Sequence, residues 1–167
     1  NKNVVFIDDQ DFRAFLLRVK ITIGKLKTHD LNSGITIKPL ADDAFTIYSY
    51  CPMSNHFHFC IKQNTDIPIS KLILKVCTSY SKYFNRKYDL VGNLWQDTFK
   101  SKIVKTNAQF LKLNKYILLN PTDYLKYPYS SLQEILNDDP NPISDPAALF
   151  KMLGMNKAEF LKYLSDK

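Results

Sequence analysis

The sequence predicts an α+β domain in which helices pack on an antiparallel sheet. Apolar residues return at helical spacing in several separate stretches. Two short extended runs joined by a turn lie between the first two of these. A chain of 167 residues with 45% apolar content can also bury an ordinary core.

Phe12, Phe15, Leu16, Val19, Ile23 and Leu26 mark the first helix, with Asp8, Asp9 and Asp11 at its start where the helix dipole favours negative charge. Gly34 then introduces a short extended stretch, Ile35-Thr36-Ile37. Phe45 to Cys51 reads as a strand, Pro52-Met53-Ser54 as a turn, and His56 to Lys62 as the returning strand of a hairpin. Pro68 suits the first turn of a second helix with the stripe Ile69, Leu72, Ile73, Val76, Tyr80 and Phe84. Gly92 to Lys105, rich in aromatic and β-branched residues, predicts a further strand or hairpin. Thr106 and Gln109 match a capping box for a third helix with the stripe Phe110, Leu113 and Ile117, ended by Pro121. A Ser130–Leu136 segment and a turn-rich Asn137–Pro146 stretch follow, then short helices near Ala147–Leu153 and Lys157–Leu164. The whole reads as one domain, 1–167, with 128–167 a C-terminal helical extension.

Lys and Arg exceed Asp and Glu, giving a formal charge of +7, which favours polyanionic partners. Cys51, Cys60 and Cys77 form no CxxC pair and read as small buried hydrophobes of a reducing, cytoplasmic compartment. No stretch approaches the ~20 apolar residues that cross a bilayer, so no membrane partner is expected.

The most informative feature is His56-Phe57-His58 on the second strand. Side chains alternate along a strand, so both imidazoles share one face while Phe57, Phe59 and Ile61 take the other. Residues two apart on a strand stand about 6.7 Å from each other, and both rings can converge on one ion at roughly 2.1 Å per bond. On the third helix Tyr116 and Asn120 are four residues apart, about 40° around the axis, at the edge of the apolar stripe. The amide oxygen of Asn120, held at the helix end by Pro121, can complete a two-imidazole site. A mixed nitrogen and oxygen set suits Mg²⁺ or Mn²⁺ with positions left for phosphate oxygens.

These residues resemble the HUH single-strand DNA endonucleases, and more closely the REP-associated tyrosine transposases. The run Met53-Ser54-Asn55-His56-Phe57-His58-Phe59-Cys60 is similar to the family's histidine motif. Lys115-Tyr116-Ile117-Leu118-Leu119-Asn120-Pro121 is similar to its tyrosine motif. Tyr83-Phe84-Asn85, Gly92-Asn93-Leu94-Trp95-Gln96, Phe99-Lys100-Ser101 and Tyr129-Ser130-Ser131 also look like family landmarks, in order. Ser54 stands where proline is usual, Lys115 where arginine is common, and Thr98 where a basic residue often precedes the Phe. The family's first strand has no counterpart before the first helix, which points to sequence upstream of Asn1.

The resemblance implies a ferredoxin-like HUH endonuclease fold and a reaction on single-stranded DNA bearing hairpins. Tyr116 is the implied nucleophile, His56, His58 and Asn120 hold the implied divalent ion, and a 5′-phosphotyrosine is the implied intermediate. A phenol ionises near pH ~10, so its deprotonation needs help. Lys112, Lys115 and hydroxide on the ion stand as alternatives. Lys100, Lys102, Lys105, Lys112 and Lys115, with Lys82, Arg86 and Lys87, are candidates to follow the phosphate backbone, and Trp95 or Phe99 to stack on a base. Trp95 has a competing reading as a core anchor. The C-terminal region and the Asn-Pro motif favour a monomer acting in cis, with a dimer the alternative. The competing functional readings are a domesticated hairpin binder without turnover and an initiator of replication or conjugation.

Overall fold

The computed structural model describes residues 4–27 and 37–166. Among these the element order is α1 (Asp9–Thr22), β1 (Phe45–Met53), β2 (His56–Gln63), α2 (Ile69–Tyr88), α3 (Asn107–Leu118), α4 (Ser131–Leu136), α5 (Pro146–Leu153) and α6 (Lys157–Ser165). The strands pair with each other through a two-residue turn, which only an antiparallel hairpin permits. The α+β class and the packed helices are as expected. The residues form two compact units interleaved in sequence. One takes Asn1–Phe45, Ser54–His56 and Gln63–Lys100, the other Thr46–Met53, Phe57–Lys62 and Ser101–Lys167.

The first unit is built on α1 and α2. Asp8 caps α1 by accepting from the Asp11 N–H at 3.1 Å, and Asp11 returns the bond by accepting from the Asp8 N–H at 3.3 Å. The expected helix runs on to Leu26, but α1 ends earlier, with Ile23 as its cap. Gly24 takes φ +81°, a left-handed backbone that strains any residue with a Cβ, so glycine suits the point where the helix stops. The core is aromatic: Phe6 stacks on Phe12 at 4.9 Å and meets Phe15 and Tyr80 at 5.1 and 5.2 Å. Tyr80 is fully buried, and its hydroxyl donates to the Val5 carbonyl at 2.6 Å. Five residues of the expected α2 stripe, from Leu72 to Phe84, are buried, and Pro68 stands at the N-cap.

One expectation fails on a segment that runs from this unit into the second, and another falls outside the described residues. Ile35 and Thr36 of the proposed extended stretch are not described, nor is His29, whose sequence reading is an ordinary polar residue after a lysine-rich helix end, while Ile37 is buried in irregular chain. The segment 92–105 contains no strand. No described strand lies beside it to pair with: Ile103 is 85% exposed, and Val104 packs on the second unit's core from irregular chain. Asn85 Nδ2 donates to the Gly92 carbonyl at 3.0 Å and Trp95 Nε1 to the Cys77 carbonyl at 3.3 Å, so the start of the segment is tied to α2 instead of to a ladder. The ammonium of Lys87, a candidate for the phosphate path, bonds Asp8 at 2.7 Å and the buried Asp11 at 2.8 Å.

In the second unit β1, the inner part of β2 and α3 to α6 close one hydrophobic core. It contains Tyr48, Cys51, Cys60, Phe110, Ile117, Leu118, Leu132, Ile135, Leu149, Phe160 and Leu164. The strand β1 continues through Pro52 and Met53, and the turn is Ser54–Asn55, two residues later than the proline suggested. The Pro52 carbonyl accepts from the Tyr127 hydroxyl at 2.6 Å. Backbone groups of β1 are met by the C-terminal segment: Ser131 Oγ accepts from the Tyr50 N–H at 2.9 Å, and the Asp145 N–H donates to the Ile47 carbonyl at 2.8 Å. Glu134, buried, accepts from the Tyr50 hydroxyl (2.8 Å), the Ile143 N–H (2.7 Å), the Ser144 N–H (3.0 Å) and Ser144 Oγ (2.5 Å). A buried carboxylate satisfied by four donors holds this region to one arrangement.

Candidate active site

On β2 the buried Cys60 has the same parity as His56 and His58, so this face looks towards the core while its outer end carries the two imidazoles. Phe57 and Phe59, of opposite parity, contact each other at 5.4 Å, and Phe59 lies 6.2 Å from Tyr50. The alternation expected from the sequence is therefore realised.

Helix α3 begins at Thr106, whose Oγ1 accepts from the Gln109 N–H at 3.2 Å. The expected capping box is half formed: Gln109 Oε1 accepts from the Lys105 N–H at 2.9 Å and not from Thr106. The helix ends at Leu119, the residue before Asn120, because Pro121 denies helical backbone to its predecessor. Asn120 is half-buried, with its N–H on the Ile117 carbonyl at 3.5 Å.

Tyr116 is 55% exposed, although a large aromatic on an amphipathic helix is normally drawn inward. Its ring meets His58 edge-on, with centroids 5.4 Å apart and planes at 72°. Both residues belong to the second unit, so a phenol open to solvent lies beside an imidazole of the His-Phe-His strand. In the first unit His56 Nδ1 lies 2.6 Å from Asn55 Oδ1. An amide oxygen accepts only, so that ring nitrogen carries its proton in this hydrogen bond.

The structure separates the basic candidates by surroundings. Arg86, Lys100, Lys102, Lys105 and Lys112 are exposed. Lys115 instead reaches α6, where its ammonium donates to the Tyr163 carbonyl at 2.8 Å and the Asp166 carbonyl at 2.5 Å and lies 4.5 Å from the Tyr163 ring centre. Trp95 is half-buried in the aromatic core, 6.1 Å from Tyr80 and 6.5 Å from Phe6 and Phe15. Phe99 is 42% exposed.

Among the described residues no three His, Cys, Asp or Glu side chains gather as a metal cage. The candidate donors named from the sequence are two imidazoles and one amide oxygen. In kind they fit a divalent ion of intermediate hardness with several positions left for oxygen ligands. The thiols are unsuited to the task. Burial pushes Cys51 and Cys77 up to about 12, and Cys60 up to about 11 despite a hydrogen bond from Asn114.

Two hydrogen-bonding amides near the candidate residues escaped sequence reasoning. Asn55 is adjacent to His56 and had no role assigned. Asn114, fully buried, accepts from Ser49 Oγ at 2.6 Å and donates to the Phe110 carbonyl at 2.8 Å. Its signal was an amide on the apolar face between Phe110 and Ile117.

An exposed helical tyrosine beside a strand histidine, on an α+β frame, defines a candidate site for group transfer to a phenol. The family model described as "Transposase IS200 like" matches residues 18–120, well over half the chain and spanning His56, His58, Tyr116 and Asn120. The protein belongs to this family and is a transposase-type protein that acts on DNA. No curated protein and no solved structure matches significantly. No described helix is long and apolar enough to cross a membrane.

Proposed function

We propose that the protein is a single-strand DNA endonuclease and strand transferase that uses Tyr116 as its nucleophile. The observation that carries this reading is the exposed Tyr116 ring set against His58. The phenolic oxygen attacks the scissile phosphorus and forms a new P–O bond, while the bond from phosphorus to the 3′ oxygen breaks. The phenol's proton leaves to a nearby base, and the departing 3′ oxygen takes a proton to become a free hydroxyl. One phosphodiester replaces another, so a later 3′-hydroxyl can reverse the step without a nucleotide cofactor.

His56, His58 and Asn120 would hold Mg²⁺ or Mn²⁺, which when bound supplies Lewis-acid polarisation of the phosphate. Asn55 keeps the His56 ring in one tautomer, the service that outer residues give to metal-bound histidines. Exposed Arg86, Lys100, Lys102, Lys105 and Lys112 follow the backbone, and Phe99 is the better placed of the two aromatic candidates to stack on a base, because Trp95 is packed inside. The preferred substrates are hairpin-bearing palindromic repeats, as for REP-associated relatives.

The test is incubation with hairpin-bearing single strands and Mn²⁺. Wild-type protein should give a covalent protein–DNA adduct that Tyr116→Phe eliminates. An adduct of unchanged yield in Tyr116→Phe would overturn the nucleophile assignment. His56→Ala with His58→Ala should abolish cleavage while DNA affinity changes less than threefold. Tight binding with no nicking on any metal would favour the hairpin-binder reading.

A further inference from the structure

Asn114 is the one polar residue buried on α3, where the other buried residues are Phe110, Ile117 and Leu118. Apolar packing is non-directional, and three hydrocarbon side chains tolerate small rotations and slips of a helix against a sheet. A buried amide does not, because each of its hydrogen bonds demands one direction. The Asn114 side chain is bonded on several sides. Oδ1 takes the Ser49 hydroxyl of β1 at 2.6 Å, while Nδ2 reaches the Phe110 carbonyl at 2.8 Å and Cys60 Sγ of β2 at 3.8 Å.

The positions of these partners matter. Cys60 lies two residues beyond His58 on the same face of β2, and Tyr116 lies two residues beyond Asn114 on α3. The amide thus ties together the two elements that carry the imidazole and the phenol, one short step from their contact. With side chains about 5–6 Å from the axis, a helix rotation of ~20° displaces a side-chain tip by about 2 Å. A misplacement of ~1 Å in a reacting group can cost about a hundredfold in rate.

We infer that the Ser49–Asn114–Cys60 bridge is a positioning device that sets the register of α3 on the hairpin and so holds the Tyr116 phenol against His58. Asn114 touches no substrate and is a positioning residue. The inference rests on the nucleophilic reading of Tyr116, but its structural part is tested without DNA or metal.

The experiment places 3-fluorotyrosine at position 116 of the full chain and records its ¹⁹F resonance, with His58→Ala as the reference for a phenol that has lost its neighbour. The double variant Asn114→Leu with Ser49→Ala replaces both hydrogen-bonding groups by apolar ones and keeps the core filled. Its resonance should move to within the linewidth of the His58→Ala position, or broaden, with the far-UV spectrum unchanged. Ser49→Ala alone should shift it in the same direction, and Ser49→Thr, which keeps the hydroxyl, should restore the wild-type position. With hairpin DNA and Mn²⁺, kcat for adduct formation should fall at least tenfold in the double variant while KM changes less than threefold.

A wild-type resonance in the double variant, or a loss that Ser49→Thr does not rescue, overturns the inference. Should the double variant fail to fold, the Ser49→Ala and Ser49→Thr pair decides it. If wild-type protein forms no adduct, the nucleophilic reading fails, and the fluorine shifts still decide whether the bridge sets the phenol.

Discussion

Asp11 has no exposed surface, yet it carries charge and serves α1, α2 and the chain entering α1 together. Burial pushes its carboxyl up. The Lys87 ammonium, the Ile7 N–H, the Tyr88 hydroxyl and the Asp8 N–H outweigh that and hold it below the usual carboxylate range. A carboxyl depressed in the folded state stabilises the fold fully above its unfolded value, near pH ~4, and loses that contribution as pH falls through the folded value. Asp11→Asn keeps the shape and removes the charge. It should cost about 1.5–3 kcal/mol at neutral pH. Its melting temperature should also fall less than the wild type's between pH 5 and pH 3, to which thermal melts across that range give a direct answer. The same substitution strands Lys87 beside Asp8 alone, so its ammonium becomes a weaker tie between α1 and α2.

Among the elements, α3 and α6 are joined by a lysine that sequence reasoning sent elsewhere. Lys115 donates to carbonyls at the end of α6, where the helix dipole adds to the attraction. Lys115→Met should destabilise the protein by about 1–2 kcal/mol and speed amide exchange in α6, while leaving the salt dependence of DNA binding unchanged. A slope that drops as much as for Lys112→Ala would instead return Lys115 to the phosphate path.

The elements that sequence reading recovered are those with a period. The buried run of α2, the alternation of β2 and the stop before Pro121 all follow from side-chain geometry that any partner would exploit. It failed where a partner decides. Ile103 and Val104 have strand-forming side chains but no neighbouring strand, and Pro52 joins β1 because Tyr127 takes its carbonyl. Within the candidate site, His58 and Tyr116 announced themselves by type and spacing. Asn114 and Asn55 did not, because a single amide has no period, and its meaning lies in hydrogen bonds to residues such as Ser49, sixty-five positions away.

At the scale of the whole molecule, the charge of +7 sets the first encounter with a polyanion. Each lysine that neutralises a phosphate on a single strand steepens the dependence of log affinity on log salt by about 0.7. Replacing Lys100, Lys102 and Lys105 by alanine should flatten the slope by about 2 and weaken binding evenly across sequences, as a titration between low and physiological salt would register. Loss of preference for one hairpin without a change of slope would mean that these lysines read bases.

The bonds from Tyr50 to Ser131 and Glu134 span 81 and 84 residues. A ribosome adding about 5–20 residues per second emits β1 roughly 4–17 seconds before its polar partners. During that interval the hairpin leaves the exit tunnel with Tyr50 unanchored and a greasy ribbon bare. Nascent-chain helpers that shield hydrophobic strands therefore have a natural client in this polypeptide, and slowing elongation across the codons for α4 should lower its yield of native product.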